Sequence, residues 1–285
     1  MPVVNIGKVN NKGFELVLKW NHNIGDFKYW INTNLSYAKN TVVYKDEIPH
    51  KYPWLYETGQ SVGQPFGFIF DGFVTDNDIK SGNLPDHKLD LKPGDAKYKD
   101  LNGDNIIDDN DQCPIGNPIY PQLTAGATIG FEYKGFDFSM LWQGSALCSV
   151  QLSGPAVWDF PLYDQSRTGK VRKMHLNRWT PETAATATYP ALHYGIHNNN
   201  KQQYSSLFLY DASYIRLKNV EIGYTLPKAW TSKAGIQSVR IYAQGQNLLT
   251  FDRLGDVDMD PEIKNGDGSW FPVQRVVNLG INMTF

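Results

Sequence analysis

The residues best suited to chemistry are concentrated in one acidic segment, residues 100–111. Its oxygen donors are the side chains at positions one, three, five, nine and twelve and the backbone carbonyl at position seven: Asp100, Asn102, Asp104, Asp108, Asp111 and Ile106. This is calcium-loop spacing, in which a tight turn directs alternate residues toward one centre and a hard cation takes six to eight oxygens. Without a cation, so many like charges would repel one another. We therefore expect a structural calcium ion here.

The segment departs from the usual calcium loop at two positions. Asn105 stands at position six, where glycine is usual, but asparagine also enters the left-handed backbone region. Asp111 stands at position twelve, where the longer glutamate usually binds through both oxygens. Helical periodicity is absent on both sides, which argues against an EF-hand domain. A solvated acidic turn is the alternative interpretation.

Other motifs with catalytic potential lack the context they need. Gly59-Gln-Ser-Val-Gly63 matches a hydrolase nucleophile elbow, but no buried strand precedes Ser61 and Gln64-Pro65 follows in place of a helix. His193 and His197 have zinc-ligand spacing in a segment too rich in Gly and Asn for a helix. The two cysteines, Cys113 and Cys148, form no metal or disulfide framework. We expect no enzymatic activity.

Composition excludes one class of partner and leaves another open. The net charge of −2 and pI of about 6.3 provide no basic field for nucleic acid. No run of 18 apolar residues predicts a transmembrane helix, whereas membrane β-strands show only alternation. The apolar content lies largely in 8 Trp, 16 Tyr and 14 Phe, a mixture that suits the aromatic girdles of a membrane barrel.

Period-two alternation is the main structural signal. Apolar residues share one face of the segments 14–20, 27–37, 123–133, 136–142, 239–244 and 275–285. The run from Phe27 to Tyr37 alternates for about eleven residues, roughly the length that a tilted strand needs to cross a bilayer. The polar excursions 40–120, 144–206 and 251–271 have the lengths of extracellular loops. A soluble, calcium-dependent carbohydrate-binding β-sandwich also alternates and remains the alternative.

Several motifs in order resemble those of the SusC/RagA family of TonB-dependent outer-membrane transporters. They are residues 63–67, 94–100, 115–118, 178–182, 189–190, 211–227, 239–250, 260–262 and the final strand to Phe285. The resemblance covers nearly the whole chain. It implies an all-β fold in which residues 1–285 form the C-terminal portion, about eight antiparallel strands, of a large transmembrane β-barrel with long extracellular loops. Residues 100–111 would then be a calcium-loop-like insertion in an extracellular loop.

The same resemblance implies an activity and partners. The expected function is outer-membrane import of an oligosaccharide, or alternatively a peptide, together with a SusD-like surface lipoprotein. Energy would come from the TonB complex through an N-terminal region and plug that this chain lacks. Aromatic residues of the 151–206 loop could stack on substrate, pack the loop or contact the lipoprotein: Trp158, Tyr163, Trp179, Tyr189, His193 and Tyr194.

Overall fold

A computed structural model describes residues 6–154, 157, 172–192, 204–263, 266–267, 271 and 273–285. Its strands are β1 (Lys8–Ile24), β2 (Phe27–Tyr44), β3 (Phe66–Gly67), β4 (Phe70–Phe73), β5 (Ala96–Tyr98), β6 (Cys113–Pro114), β7 (Leu123–Tyr133), β8 (Phe136–Ala146), β9 (Ser149–Gln151), β10 (Leu209–Asp211), β11 (Tyr214–Thr225), β12 (Ser238–Asp252) and β13 (Val276–Thr284). The helices are α1 (Asp76–Ser81), α2 (Lys228–Thr231) and 3-10 helices at Pro53–Leu55, Asp109–Asp111, Lys173–Asn177, Ser206–Phe208 and Ser232–Ala234. In these described ranges, no helix combines the length and apolar character needed to cross a membrane.

Seven long strands form one antiparallel sheet in the order β1-β2-β7-β8-β11-β12-β13. The β7–β8 hairpin turns at Lys134 and Gly135, both with positive φ, the backbone that a two-residue hairpin turn requires. The β1–β2 hairpin turns equally tightly at Gly25 and Asp26. All short connections lie at one end of the sheet and the long excursions at the other. The predicted all-β fold is confirmed, with seven long strands among the described residues where about eight were expected.

The outward face of this sheet is apolar across its full width. Phe14, Leu16, Leu18 and Trp20 of β1 remain 45–58% exposed. Near the short turns, aromatic rings form a belt across neighbouring strands: Phe27, Tyr29, Phe131, Tyr133, Phe136, Phe138 and Tyr224. A second belt near the long excursions contains the ring pairs Phe14–Tyr37 and Trp142–Phe251.

The two belts are separated by the height of a hydrocarbon layer. From Phe27 to Tyr37 the strand advances roughly 33 Å at about 3.3 Å per residue. A tilt of about 40° reduces this to roughly 25 Å, the apolar band of an outer-membrane barrel. The outward face is therefore the lipid-facing one, and the long excursions lie together at the end predicted to be extracellular.

The opposite face is polar and faces the lumen. Arg240 of β12 donates to Asp137 of β8 at 2.9 Å and to Glu221 of β11 at 2.6 Å, so that three adjacent strands share one ion cluster. Gly223 lies directly beneath it, where a Cβ would come 2.5 Å from the guanidinium. On the same face, Trp30 lies over Gly130. Bulky lumenal side chains thus occupy the space that the glycines leave.

The extracellular excursions are more ordered than the sequence suggested. β2 continues to Tyr44, and the two-stranded sheets β3–β6, β4–β5 and β9–β10 lie within the excursions. They enclose a hydrophobic core of their own: Cys148, Val150, Leu152, Val157, Met174, Tyr189, Phe208, Ala212, Leu254 and Val257. A second cluster joins Phe68, Ala96, Tyr98 and Ile107. We call this packed extracellular layer, formed by the described residues 45–122, 147–213 and 253–275, the cap.

The two faces predict opposite responses to a buried charge. In the full-length protein, Leu18→Arg should destabilise the membrane-inserted state by about 2 to 4 kcal/mol, because its side chain faces lipid about midway between the two aromatic belts. Val17→Arg, one residue along and facing the lumen, should cost far less. Equilibrium unfolding from lipid vesicles measures both changes. Equal losses would indicate a sheet buried on both faces.

Candidate functional site

The acidic loop is a tightly wound turn on the extracellular side. The Asp100 carboxylate accepts hydrogen bonds from the backbone N–H groups of Gly103 and Asn105, both at 2.7 Å. Asn102 Oδ1 accepts from the N–H of Asp104 at 2.9 Å. The side chains at loop positions one and three thus accept hydrogen bonds from the backbone that follows them. At position five, Asp104 Oδ1 likewise accepts from the N–H of Ile106 at 3.0 Å.

Position six adopts the conformation that a calcium loop requires. Asn105 has a φ of +64°, within the left-handed region where glycine usually stands. The C-terminal part of the loop differs. Both carboxylate oxygens of Asp111 accept backbone N–H groups, from Leu101 at 2.8 Å and Asp108 at 2.9 Å. Asp111, fully buried, therefore ties the end of the loop back to its start.

The carboxylates of residues 100–111 do not form a coordination shell in this structure. Within the described parts of the chain, no three carboxylate, imidazole or thiol groups converge as metal ligands. Asp108 accepts from the N–H of Asn110 at 2.8 Å and lies 3.8 Å from Lys88 Nζ. The amide of Asn102 and the carbonyl of Ile106 would have to contribute oxygens, as hard cations allow. The winding of the first half therefore fits calcium, and the second half fits only after the side chains rearrange.

Hydrogen bonds hold the Asp100 carboxylate in its charged form. Slight desolvation acts to raise its pKa, but the backbone N–H groups of Asn105, Gly103, Asp104 and Asn102 favour the anion and lower the pKa below its ordinary value. A carboxylate that stays charged keeps the anionic form that binds a hard cation.

The rest of the cap fixes the position of the loop. Asp86 pairs with the Ile106 segment, donating its N–H to Asn105 O and accepting from the N–H of Ile107, both at 2.9 Å. The adjacent His87 is buried, with Nδ1 2.7 Å from Pro85 O and Nε2 accepting from the N–H of Tyr98 at 3.0 Å. Burial lowers the pKa of His87, which favours the neutral ring at this position beneath the loop.

The predicted aromatic contacts divide into three groups. Trp158, Tyr163, His193 and Tyr194 lie outside the described residues. Trp179 is half-buried, and its ring packs directly on Gly94. Tyr189 is only 1% exposed; its ring packs edge-on against His175 at 4.7 Å and its hydroxyl bonds to Val157 O. The interpretation of Tyr189 as a substrate contact therefore needs correction, because the ring is part of the cap core.

The remaining motifs have structural roles. Ser61 lies in a turn, as expected, and its hydroxyl donates to Asn40 O at 2.9 Å. Cys113 and Cys148 are both buried, and burial raises the pKa of the Cys113 thiol, which disfavours the reactive thiolate. His197 lies outside the described residues.

A buried arginine connects the cap to the barrel wall. Arg216, on the lumenal face of β11, is 1% exposed. Its Nη2 donates to Asp260 at 2.7 Å and its Nη1 lies 3.1 Å from Glu262, while Nε donates to Thr250 at 2.9 Å. Tyr214 donates to the other oxygen of Glu262 at 2.6 Å. The cap segment around residues 260–262 therefore lies over the lumenal wall.

Sequence reasoning did not identify this network. In the sequence, residues 211–227 and 260–262 stand out only as motifs that resemble those of the SusC/RagA family. The sequence signal that could have revealed the network is an arginine within the strand of residues 214–225, together with the Asp-Pro-Glu sequence at residues 260–262. The network borders a polar cavity of about 270 Å³ lined by residues that include Asn247, Asp258 and Arg275.

Removing Arg216 should release the cap. In the full-length protein, Arg216→Met should destabilise this junction by about 3 kcal/mol, because it leaves the partly buried carboxylates of Asp260 and Glu262 without their buried counter-charge. Limited proteolysis of the cap and unfolding in detergent measure the change. Arg253→Met is the matched control: that side chain is 75% exposed and pairs with Asp211, and such surface pairs contribute under about 1 kcal/mol. Comparable effects of both changes would contradict the assigned role of Arg216.

Comparison with known proteins agrees with this architecture. TonB-dependent receptors P3 and P26 of Formosa agariphila are 28% and 29% identical to the chain over 99% of its length. TonB-dependent receptor SusC of Bacteroides thetaiotaomicron is 27% identical over 68% of the chain. The chain spans 29% and 30% of the two Formosa proteins and 18% of SusC. No family model matches the chain.

Solved structures show the same fold. The RagAB peptide transporter superposes on 98% of the chain with a TM-score of 0.71 at 19% identity, and the chain covers 29% of that structure. The RagAB peptide importer in its closed-closed state gives a TM-score of 0.70 over 99% of the chain. The membrane-spanning sheet, the polar lumen and these relatives together support the SusC/RagA family of TonB-dependent outer-membrane receptors for this chain.

Proposed function

We propose that the protein to which this chain contributes imports an oligosaccharide across the outer membrane, using energy relayed by the TonB complex and a SusD-like lipoprotein as its surface partner. The observation that carries this proposal is the similarity to TonB-dependent receptors along 99% of the chain. In this proposal the described residues contribute wall strands and part of the cap, and transport requires no bond chemistry.

The arrangement of the two faces supports transport. The lumenal side has ion clusters and polar side chains, whereas the opposite side is apolar. Arg216 connects the cap to the lumenal wall. Movement of the cap would therefore shift the lumenal wall at the point where substrate enters. The polar cavity beside Arg216, with its carboxylates and amides, offers the hydrogen-bonding groups that a sugar or a peptide needs.

Peptide is the second candidate substrate. The similar solved structures are described as a peptide transporter and importer, whereas SusC is among the curated relatives. Both likenesses concern less than a third of the longer chains.

Uptake by cells decides between these substrates. Cells with the full-length protein should accumulate a labelled oligosaccharide mixture, and cells deleted for it should not, with accumulation abolished by a protonophore. Labelled mixed peptides form the second arm. Uptake of peptides alone would support the second candidate. Energy-independent uptake of either would contradict TonB-coupled import.

We further propose that calcium binds the acidic loop through Asp100, Asn102, Asp104, Ile106, Asp108 and Asp111. The inward turn of positions one, three and five and the left-handed Asn105 support this assignment. The ion would have a structural role, offsetting the repulsion among carboxylates and holding the loop against the Asp86 segment.

Asp104→Ala should abolish this calcium binding, because it removes a central ligand. Isothermal titration of the full-length protein with calcium measures the loss. Asp109→Ala is the matched control, since Asp109 belongs to the same loop but bonds to Gln112 at 3.0 Å and is not in the ligand set. Unchanged calcium binding in the Asp104 variant would show that the assignment is wrong.

A further inference from the structure

A depression of about 410 Å³ lies on the lipid-facing side of the sheet, across β2, β7, β8 and β11. Large apolar side chains border it: Leu35, Leu123, Trp142 and Ile215. Its floor consists of Ala125, Ala127 and Gly144. Such a volume falls within the range of small-molecule sites, which are mostly apolar.

Backbone packing keeps this depression open. Leu35, Ala125, Gly144 and Ile215 form one cross-strand row, with the two smallest residues in its centre. A Cβ on Gly144 would come 2.7 Å from the carbonyl oxygen of Tyr214. The floor therefore cannot be filled at Gly144 without moving the strand beside it.

Two lysines stand at the extracellular border of the same face. Lys12 and Lys39 are direct cross-strand partners, one register step beyond the Phe14–Tyr37 ring pair, and both are exposed. Like charges placed opposite each other destabilise a strand pair unless an anion lies between them. No ion pair joins either lysine to a carboxylate in the described ranges.

We propose that this face binds one phosphorylated lipid of the outer leaflet that has a net negative charge, with its phosphate between Lys12 and Lys39 and an acyl chain in the depression. The lysines lie at the level of head groups, just beyond the aromatic belt, where a phosphate is available in a bilayer. Lys39 is four residues from Leu35, about 13 Å along the strand, so the head group and the upper part of one chain can bridge the two features.

Lipid retention by the full-length protein in detergent tests this site. Native mass spectrometry would compare dioleoyl phosphatidylglycerol with dioleoyl phosphatidylcholine and inorganic phosphate. Combined Lys12→Gln and Lys39→Gln should weaken phosphatidylglycerol binding roughly tenfold or more, since one lysine near an anionic surface contributes about fivefold. Ala125→Phe, which fills the depression, should weaken binding of both lipids.

Matched controls separate the site from general effects. Lys19→Gln removes a lysine from the lumenal face of β1, and Ala243→Phe enlarges a lipid-facing residue outside the depression; neither should change lipid retention. Heat-dependent electrophoretic migration confirms that each variant barrel is folded, and Lys12→Arg should retain binding. Unchanged phosphatidylglycerol binding in the double lysine variant would overturn the proposal. So would binding of inorganic phosphate alone, or a second copy of the protein in place of the lipid.

Discussion

Backbone hydrogen bonding inside hydrocarbon is the constraint on which the rest of this structure depends. An amide without a partner in the bilayer costs several kcal/mol, so a membrane-crossing segment that is not helical must pair along its length with neighbours on both sides. The long strands satisfy this rule from β2 through β12, while β1 and β13 pair on one side within the described residues. Because the wall must remain continuous, its variation is confined to side chains and to the connections outside the membrane.

Those side chains follow different rules on the two faces. Toward lipid, the face needs only to be apolar, with aromatic rings at its borders. Toward the lumen, large polar groups lie over glycines, as the ion cluster around Arg240 lies over Gly223. The energetic cost of a substitution therefore depends on the face, because one face contacts hydrocarbon and the other contacts the polar lumen. The lipid-facing depression is the exception to this uniform outer surface, and Gly144 preserves it through the closeness of two backbones.

The cap has to be held without a bilayer around it. It has its own hydrophobic core, with Tyr189 and Phe208 among its fully buried residues, and it is connected to the wall through Arg216. Burying a guanidinium is favourable only when nearby groups compensate its charge. Thr250 and Asp260 accept hydrogen bonds from its Nε and Nη2, and the Glu262 carboxylate lies 3.1 Å from Nη1 as an ion-pair partner. This arrangement joins an ordered extracellular layer to the lumenal surface that a transported solute would pass.

The sequence by itself determined which residues share a face of each strand and where the acidic loop turns, because both depend on neighbours a few positions apart. The alternation from Phe27 to Tyr37 predicts a strand. In the structure β2 continues to Tyr44, through residues that alternate less regularly and pair with β1. The residue type of Asn105 permits the left-handed turn that the structure shows. Only the tertiary structure decided that Tyr189 is core, that the excursions form a cap, and that Arg216 meets Asp260. These contacts join residues distant in the chain, and which polar or aromatic groups meet depends on how the loops pack over the sheet.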